Sequence, residues 1–207
     1  MSKPHQDGRC RMKKCKSGVN LALGALFTGW AVSASAIGED FGLEPPYALE
    51  IDKSERVLLV KNGDTVARRF QIATGRGGLG DKRIRGDNKT PLGVYRITDF
   101  NDASAFHFFM RLNYPNVKDA FFGLKSRLIT RGDFDRIVDS VRTEQRPPQN
   151  TVLGGAIGIH GLGEENADKL KVQRNLDWTQ GCIALTNRDV NELRNYVTVG
   201  TKVVIRE

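Results

Sequence analysis

Arg56-Val57-Leu58-Leu59-Val60-Lys61-Asn62-Gly63-Asp64-Thr65 sets an unbroken apolar run beside the dipeptide that tight β-hairpins favour. Two-residue hairpin loops need positive φ at their turn positions, which Asn-Gly tolerates. Arg56 to Lys61 is therefore expected to be a strand that turns at Asn62-Gly63 and returns as Thr65 to Ala73. Val57 to Val60, with no polar break, is the pattern of a strand covered on both faces. Upstream, Tyr47 to Asp52 reads as a further strand. Downstream, Thr90-Pro91-Leu92-Gly93 turns into Val94 to Thr98, Phe106 to Leu112 reads as a strand, and Lys202 to Ile205 is the last. The aromatics between Asp99 and Asn116 (Phe100, Phe106, Phe108, Phe109, Tyr114) are expected to be mostly core.

Helical signals are few. Phe134, Ile137, Val138 and Val141 recur at helical spacing within Arg131 to Arg146, and Pro147-Pro148 stops that helix. Thr186 can cap a second helix over Asn187 to Val197, with Asp189 in the favourable first turn and Gly200 closing it. No strand-helix alternation repeats, which excludes a doubly wound parallel sheet and leaves a mainly β fold with helical insertions. Gly75 to Asn88 fits no regular element. Its glycines lack the Gly-Lys-Ser/Thr ending of a phosphate-binding loop, so the segment reads as a long, mobile loop.

The first 36 residues read as a secretory signal peptide. A basic segment is followed by an apolar run from Val19 to Val32 and by a small-x-small ending at Ala34-Ser35-Ala36. A spanning helix needs about 20 apolar residues, and this run is shorter and carries Asn20, Thr28 and Gly29, which disfavours an uncleaved anchor. Cleavage after Ala36 would leave 171 of the 207 residues. That is a short tether over 37–46 and one catalytic domain over 47–207, with an insertion at about 124–150. The leader holds 6 of the 32 basic residues and 1 of the 24 acidic ones, leaving 26 against 23, a net charge of +3. So mild a surplus, without basic runs interleaved with aromatics, gives no reason to expect a nucleic-acid partner. The expected compartment is the periplasm or cell envelope, and the domain is read as a monomer.

Cys10 and Cys15 leave with the leader, so the domain has a single thiol, Cys182, and no internal disulfide. A lone cysteine is often only a small buried hydrophobe. Here it sits in Thr179-Gln180-Gly181-Cys182-Ile183-Ala184-Leu185, downstream of the strand-like Ile157-Gly158-Ile159-His160-Gly161. Thiolate is the reactive form, and an unperturbed cysteine of pKa about 8.5 is mostly protonated at neutral pH, so an imidazole partner is the usual activator. Gly181 allows a tight turn whose backbone N–H groups can face a carbonyl oxygen, as an oxyanion hole requires. The residues between Gly161 and Thr179, including Glu164, Glu165, Asp168, Lys169 and Lys171, read as a polar surface loop bordering a groove. With only His107 and His160 besides one cysteine, a typical zinc set cannot be assembled, and no metal or cofactor is expected.

The His-Gly, loop, Ser/Thr-x-Gly-Cys-hydrophobic-x-Leu/Met pattern resembles the L,D-transpeptidase catalytic domain, the YkuD-like fold, as found in exported proteins of the ErfK/YbiS/YcfS/YnhG type. Gly86-Asp87-Asn88-Lys89-Thr90-Pro91-Leu92-Gly93-Val94-Tyr95 is similar to that family's opening segment, and the resemblance spans about Tyr47 to Ile205. It implies a β-sandwich or barrel with the catalytic cysteine at a turn. By it, Cys182 is the nucleophile and His160 the base, while Gly181, Thr179 and Gly161 form the active-site turn and its oxyanion donors. Peptidoglycan stem peptides are the implied substrate, attacked at the third residue, with an amine of a lipoprotein, a D-amino acid or another stem as acceptor.

Two positions depart from the commonest motif, which has histidine before the glycine and arginine or asparagine two residues after the cysteine. Here they are Gln180 and Ala184. Gln180 then becomes a candidate substrate contact, and Arg188, Arg174 or Arg76 a candidate for the missing cation. The same acyl-enzyme resolved by water, giving an amidase or peptidase, and a cell-wall-binding protein without catalysis are the alternatives.

Overall fold

The structure, a computed structural model, describes residues 45–207. The expected leader and nearly all of the expected tether lie outside the described residues.

The apolar hairpin forms as the centre of one edge. β1 (Ala48–Asp52) pairs antiparallel with β2 (Val57–Asn62), and β2 with β3 (Thr65–Gln71). Asn62 pairs with Thr65, so the two-residue turn is Gly63-Asp64, one position later than the sequence reading, and Gly63 carries the positive φ of 55°. A register shift between Val60 and Lys61 accounts for the slip, because an extra residue in one strand moves the turn along it.

On its other side β1 runs parallel to β8 (Lys202–Arg206), which is antiparallel to β4 (Gly93–Asn101). The sheet continues antiparallel through β5 (Phe109–Leu112) to β6 (Gly158–His160), then parallel to β7 (Ile183–Ala184). In order across the sheet the strands are β3, β2, β1, β8, β4, β5, β6 and β7. The sheet curls until its ends meet: just past β3, Ala73 N–H donates to Ala184 O at 3.0 Å and Ala73 O accepts from Ala184 N–H at 2.8 Å. Closure of this kind removes the exposed edge that β7 would otherwise present. The mainly β expectation therefore holds, in the form of a curled mixed sheet.

Alternation along the strands points Leu49, Ile51, Leu58, Val60, Val203 and Ile205 inward, where they pack with Tyr95, Met110, Ile159 and Leu185. Each fully buried aliphatic side chain of this kind contributes about 1.5–3 kcal/mol of transfer free energy.

Among the described residues, four α-helices decorate the sheet. α1 (Val117–Lys125) was not anticipated, although its start is written in a reciprocal cap. Asn116 Oδ1 accepts from Lys118 N–H and Asp119 N–H, and the Asp119 carboxylate accepts from Asn116 N–H at 2.9 Å. α2 (Arg131–Arg142) starts where expected, capped by Thr130, but ends at Arg142, four residues short of Arg146, as Glu144 turns to φ 54°. α1 and α2 share a small core of Ala120, Ile129, Ile137 and Leu153. α3 (Ala167–Asn175) replaces the surface loop expected after Gly161. It lacks an apolar stripe, and Gln173 is its buried residue, so hydrophobic periodicity gave no sign of it. α4 (Asn187–Leu193) begins at Thr186, as expected, and continues as a 3₁₀ turn over Arg194–Tyr196.

The segment 75–90 has no regular structure, but it is densely bonded rather than loosely held. Asp87 accepts from Lys82 Nζ at 2.8 Å and from the amides of Arg83, Ile84 and Lys89 at 2.7–3.1 Å. Burial pushes the Asp87 carboxyl upward, and these donors outweigh it and hold it below its ordinary value. From the sheet side, buried Lys53 donates to the carbonyls of Gly80 and Thr90 at 2.6 and 3.1 Å.

Candidate active site

β6 ends at His160, and Gly158 two residues earlier determines what can lie over the ring. A Cβ on Gly158 would stand 2.5 Å from both Met110 O and the Phe109 ring. Its absence lets Phe109 stack on His160 with centroids 5.9 Å apart and planes 8° from parallel. Phe106, from the β4–β5 connection, lies 4.5 Å from the imidazole centroid, and Trp178 meets it edge-on at 6.1 Å. His160 is only 2 % exposed. Its Nδ1 is 2.6 Å from Gly161 O, and a carbonyl only accepts, so Nδ1 carries the proton and Nε2 keeps its lone pair in the neutral ring. Burial lowers the His160 pKa below its ordinary value, opposed by the Gly161 carbonyl.

The turn before β7 is tied from three sides. Thr179 Oγ1 donates to Cys182 O at 2.7 Å and accepts from Gly181 N–H at 3.1 Å. Thr179 N–H donates to Thr74 O at 3.1 Å, and Arg76 N–H donates to Thr179 O at 2.9 Å. Behind the turn, Trp178 Nε1 donates to Gln173 Oε1 at 2.9 Å, and Gln173 Nε2 donates to Ala184 O at 2.7 Å. The unanticipated α3 thus supplies a buried amide that fixes both ends of the turn.

Gly181 sits at φ 128°, and a Cβ there would lie 2.7 Å from Lys89 O. Its N–H is engaged by Thr179, whereas Cys182 N–H donates to no acceptor among the described residues. Gly181→Ala is expected to displace the turn and lower the rate of Cys182 acylation by on the order of a hundredfold, the usual consequence of a misplacement near 1 Å. Stopped-flow acylation of the folded variant checks this.

Cys182 is half-buried, with Sγ 3.3 Å from Ala156 O. Burial pushes the thiol up to about 11, against the opposing influence of the Gly158 amide and the positive charges of Arg111 and Lys82. A neutral thiol and a neutral imidazole are the resting state these surroundings favour.

Cys182 and His160 line one groove of about 740 Å³, together with Thr179, Gln180, Trp178 and Phe106. Arg76, Lys82, Arg85 and Arg111 also line it, and no aspartate or glutamate among the described residues does. Gly161 and Gly181 flank these groups in the backbone without contributing to the lining. Arg188 is exposed on α4 and Arg174 lies on α3, both outside the lining, while Arg76 is within it. Ala184 is fully buried in β7 and offers the groove no polar group. His107 is exposed, with Nε2 2.9 Å from Asn191 Oδ1 on α4.

Three residues around the imidazole escaped the sequence reading. Phe106 and Phe109 were counted with the core, and Trp178 had only its place next to Thr179 to mark it. Arg111, on β5, carried no signal.

A family model described as the L,D-transpeptidase catalytic domain, YkuD, matches residues 46–205. The solved structure of the helical cell shape determining protein Pgp2 from Campylobacter jejuni is 24% identical, with a TM-score of 0.52 over 78% of this chain and 48% of that chain. Bd1075 of Bdellovibrio bacteriovorus gives 20% identity and a TM-score of 0.49, over 81% of this chain and 50% of that one. L,D-transpeptidase 3 from Mycobacterium tuberculosis, in complex with a faropenem-derived adduct, gives 13% identity and a TM-score of 0.46 over 79% and 61%. The chain spans about half the length of the Campylobacter and Bdellovibrio chains. No match is found among curated proteins.

Proposed function

This chain belongs to the L,D-transpeptidase catalytic domain family, and from that premise we propose that it is a cysteine acyl-transfer enzyme acting on peptidoglycan stem peptides. The observation that carries the reading is the sharing of one groove by a partly buried thiol and an imidazole whose Nδ1 is held by a carbonyl. That tautomer leaves Nε2 as the basic nitrogen, as a general base requires.

In the proposed cycle, Cys182 Sγ attacks the carbonyl carbon of the third stem residue while its proton passes to His160. The Cys182 N–H receives the developing oxyanion; loss of such a donor elsewhere costs about a hundredfold or more. On collapse the C–N bond breaks, the imidazolium gives its proton to the departing amine, and a thioester remains. Gly161 acts as the positioning group for His160, and Thr179 and Gly181 as the positioning groups for the sulfur. An incoming amine, deprotonated by His160, then forms the new amide and regenerates the thiol. Export to the cell envelope, by the leader read in the sequence, is part of this proposal.

Resolution by water is the second reading, and Ala184 favours it. Where the common motif supplies a polar side chain two residues after the cysteine, this chain has a buried methyl, so nothing at that position holds an acceptor. A peptide-trimming enzyme of this kind would also bear on cell shape, the property by which Pgp2 is described. Incubating the exported protein with purified muropeptides separates the two. New dimers or exchanged D-amino acids mean transfer, shortened stems alone mean hydrolysis, and unchanged muropeptides would overturn both.

A further inference from the structure

α3 is attached to the domain by polar bonds rather than by an apolar face. Val172 and Leu176 are exposed, and Gln173 is its one buried side chain. Arg56, just before β2, closes the helix end by donating to the carbonyls of Gln173, Arg174 and Leu176 at 2.9–3.0 Å, and Asp177 accepts from Arg56 Nε at 3.3 Å. Held in this way, the Gln173 amide has a single orientation. An indole N–H only donates and a carbonyl only accepts, so Oε1 must face Trp178, at 2.9 Å, and Nε2 must face Ala184 O, at 2.7 Å. Both bonds lead to His160. Trp178 meets the imidazole edge-on, and Ala184 lies opposite His160 in the β6–β7 register. The two branches differ in what they owe to Gln173. Ala184 O also accepts from Ala73 N–H at 3.0 Å, whereas the indole N–H has no other acceptor among the described residues.

From this geometry we infer that Gln173 is a positioning residue for the catalytic imidazole, acting through Trp178. The inference rests on the proposed acyl-transfer function, in which His160 must present Nε2 to the sulfur. Phe106 and Phe109 lie at 35° and 8° to the imidazole plane. Rings laid over a plane restrain motion out of it and leave rotation within it free. Within the plane the Gly161 carbonyl fixes Nδ1, and the indole, at 75°, supplies a second stop. Gln173 holds that stop in place. The side chains that face the ring, Phe106 from the β4–β5 connection, Phe109 from β5 and Trp178 from the turn, are uncharged. Cys182, Lys82 and the arginines of the groove do not enter its pKa, which burial lowers and the Gly161 carbonyl raises.

The test is a double-mutant cycle read by acylation of Cys182 with a carbapenem and with a four-residue stem peptide, circular dichroism confirming the folded state. Gln173→Met is expected to lower the maximal acylation rate on the order of 10- to 100-fold, the effect of a displacement near 1 Å, with half-saturation close to native. Trp178→Phe, which keeps a ring and removes the N–H, should lower it by about tenfold or more. Adding Gln173→Met to Trp178→Phe should change the rate by no more than about twofold, since the bond they share is already gone. In both single variants water reaches the imidazole, so the acid limb of the rate profile should move up toward the ordinary histidine value of about 6.5. Loss of stability alone moves no such limb. Gln71→Met removes a different bond to α3, from Gln71 Nε2 to Arg174 O at 3.0 Å, and should stay within about twofold. A Gln173→Met effect that persists in full on the Trp178→Phe background overturns the inference, as does an acid limb unmoved in Trp178→Phe, and both leave acyl transfer standing. The comparison of the double variant with Trp178→Phe needs no folded Gln173→Met, because neither protein carries an orphaned indole N–H. A native protein acylated by neither reagent overturns acyl transfer and this inference together.

Discussion

Cys182→Ala is expected to abolish muropeptide turnover, with a loss of about 10⁴-fold or more, because no other thiol exists in the domain to accept the acyl group. The loss should come without unfolding. Removing a partly buried sulfur that donates to Ala156 O leaves no large apolar cavity, and Thr179 still bridges the turn through backbone groups. The variant's melting temperature should therefore stay close to that of the native protein, and the two measurements together separate a nucleophile from a structural cysteine. A variant that retained turnover would place the chemistry elsewhere.

His160→Gln is expected to lower kcat/KM by about 10²–10⁴-fold, the range for loss of a general base. His107→Gln, whose ring points to Asn191 on the surface, should stay within about twofold. The pH profile carries the sharper information. A base must be neutral to act, and the His160 pKa is depressed by burial, so activity should persist as pH falls to below the ordinary histidine value of about 6.5 before declining. The Cys182 thiol titrates near 11; below that pH the thiol keeps its proton until His160 removes it, and no alkaline loss from an ion pair is expected. A plateau from about pH 6.5 to 10 follows. A narrow bell with its alkaline limb near pH 8 would instead indicate a resting thiolate–imidazolium pair and contradict the general-base assignment.

How far the sequence speaks for this fold depends on which force sets each element. Apolar alternation is present in β1, β4 and β8, since one-sided burial leaves a period of two in the residues themselves, and an unbroken apolar run marked β2. Thr186 marked a helix start because a cap is a local bond between near neighbours. The turn shift to Gly63-Asp64 was not legible, because a register slip at Val60 is decided by the partner strand. α3 was missed for a related reason: its one buried residue is a glutamine whose two bonds go to Trp178 and Ala184, and polar burial has no hydrophobic period. Gly75 to Asn88 looked mobile because glycine suggests freedom. Here Gly75 is required by crowding, a Cβ there falling 2.1 Å from Asn88 O.

The site divides in the same way. Cys182, His160, Thr179 and Gly181 lie in two short segments whose residue types speak for their chemistry. Arg111, Phe109 and Phe106 reach the groove only because β5 pairs with β6, Met110 opposite Ile159 and Phe109 opposite His160. That pairing is a long-range contact that no local window contains. Arg188, offered as a replacement cation from proximity in sequence, faces solvent on α4 instead.

The most direct measurement is intact-protein mass spectrometry after exposure to a four-residue stem peptide or a carbapenem, followed by peptide mapping of the modified species. One acyl adduct is expected, carried by the peptide containing Cys182, formed rapidly in the native protein, slowly in His160→Gln and not at all in Cys182→Ala. An unmodified native protein under both treatments, or an adduct mapped to any other residue, would contradict it.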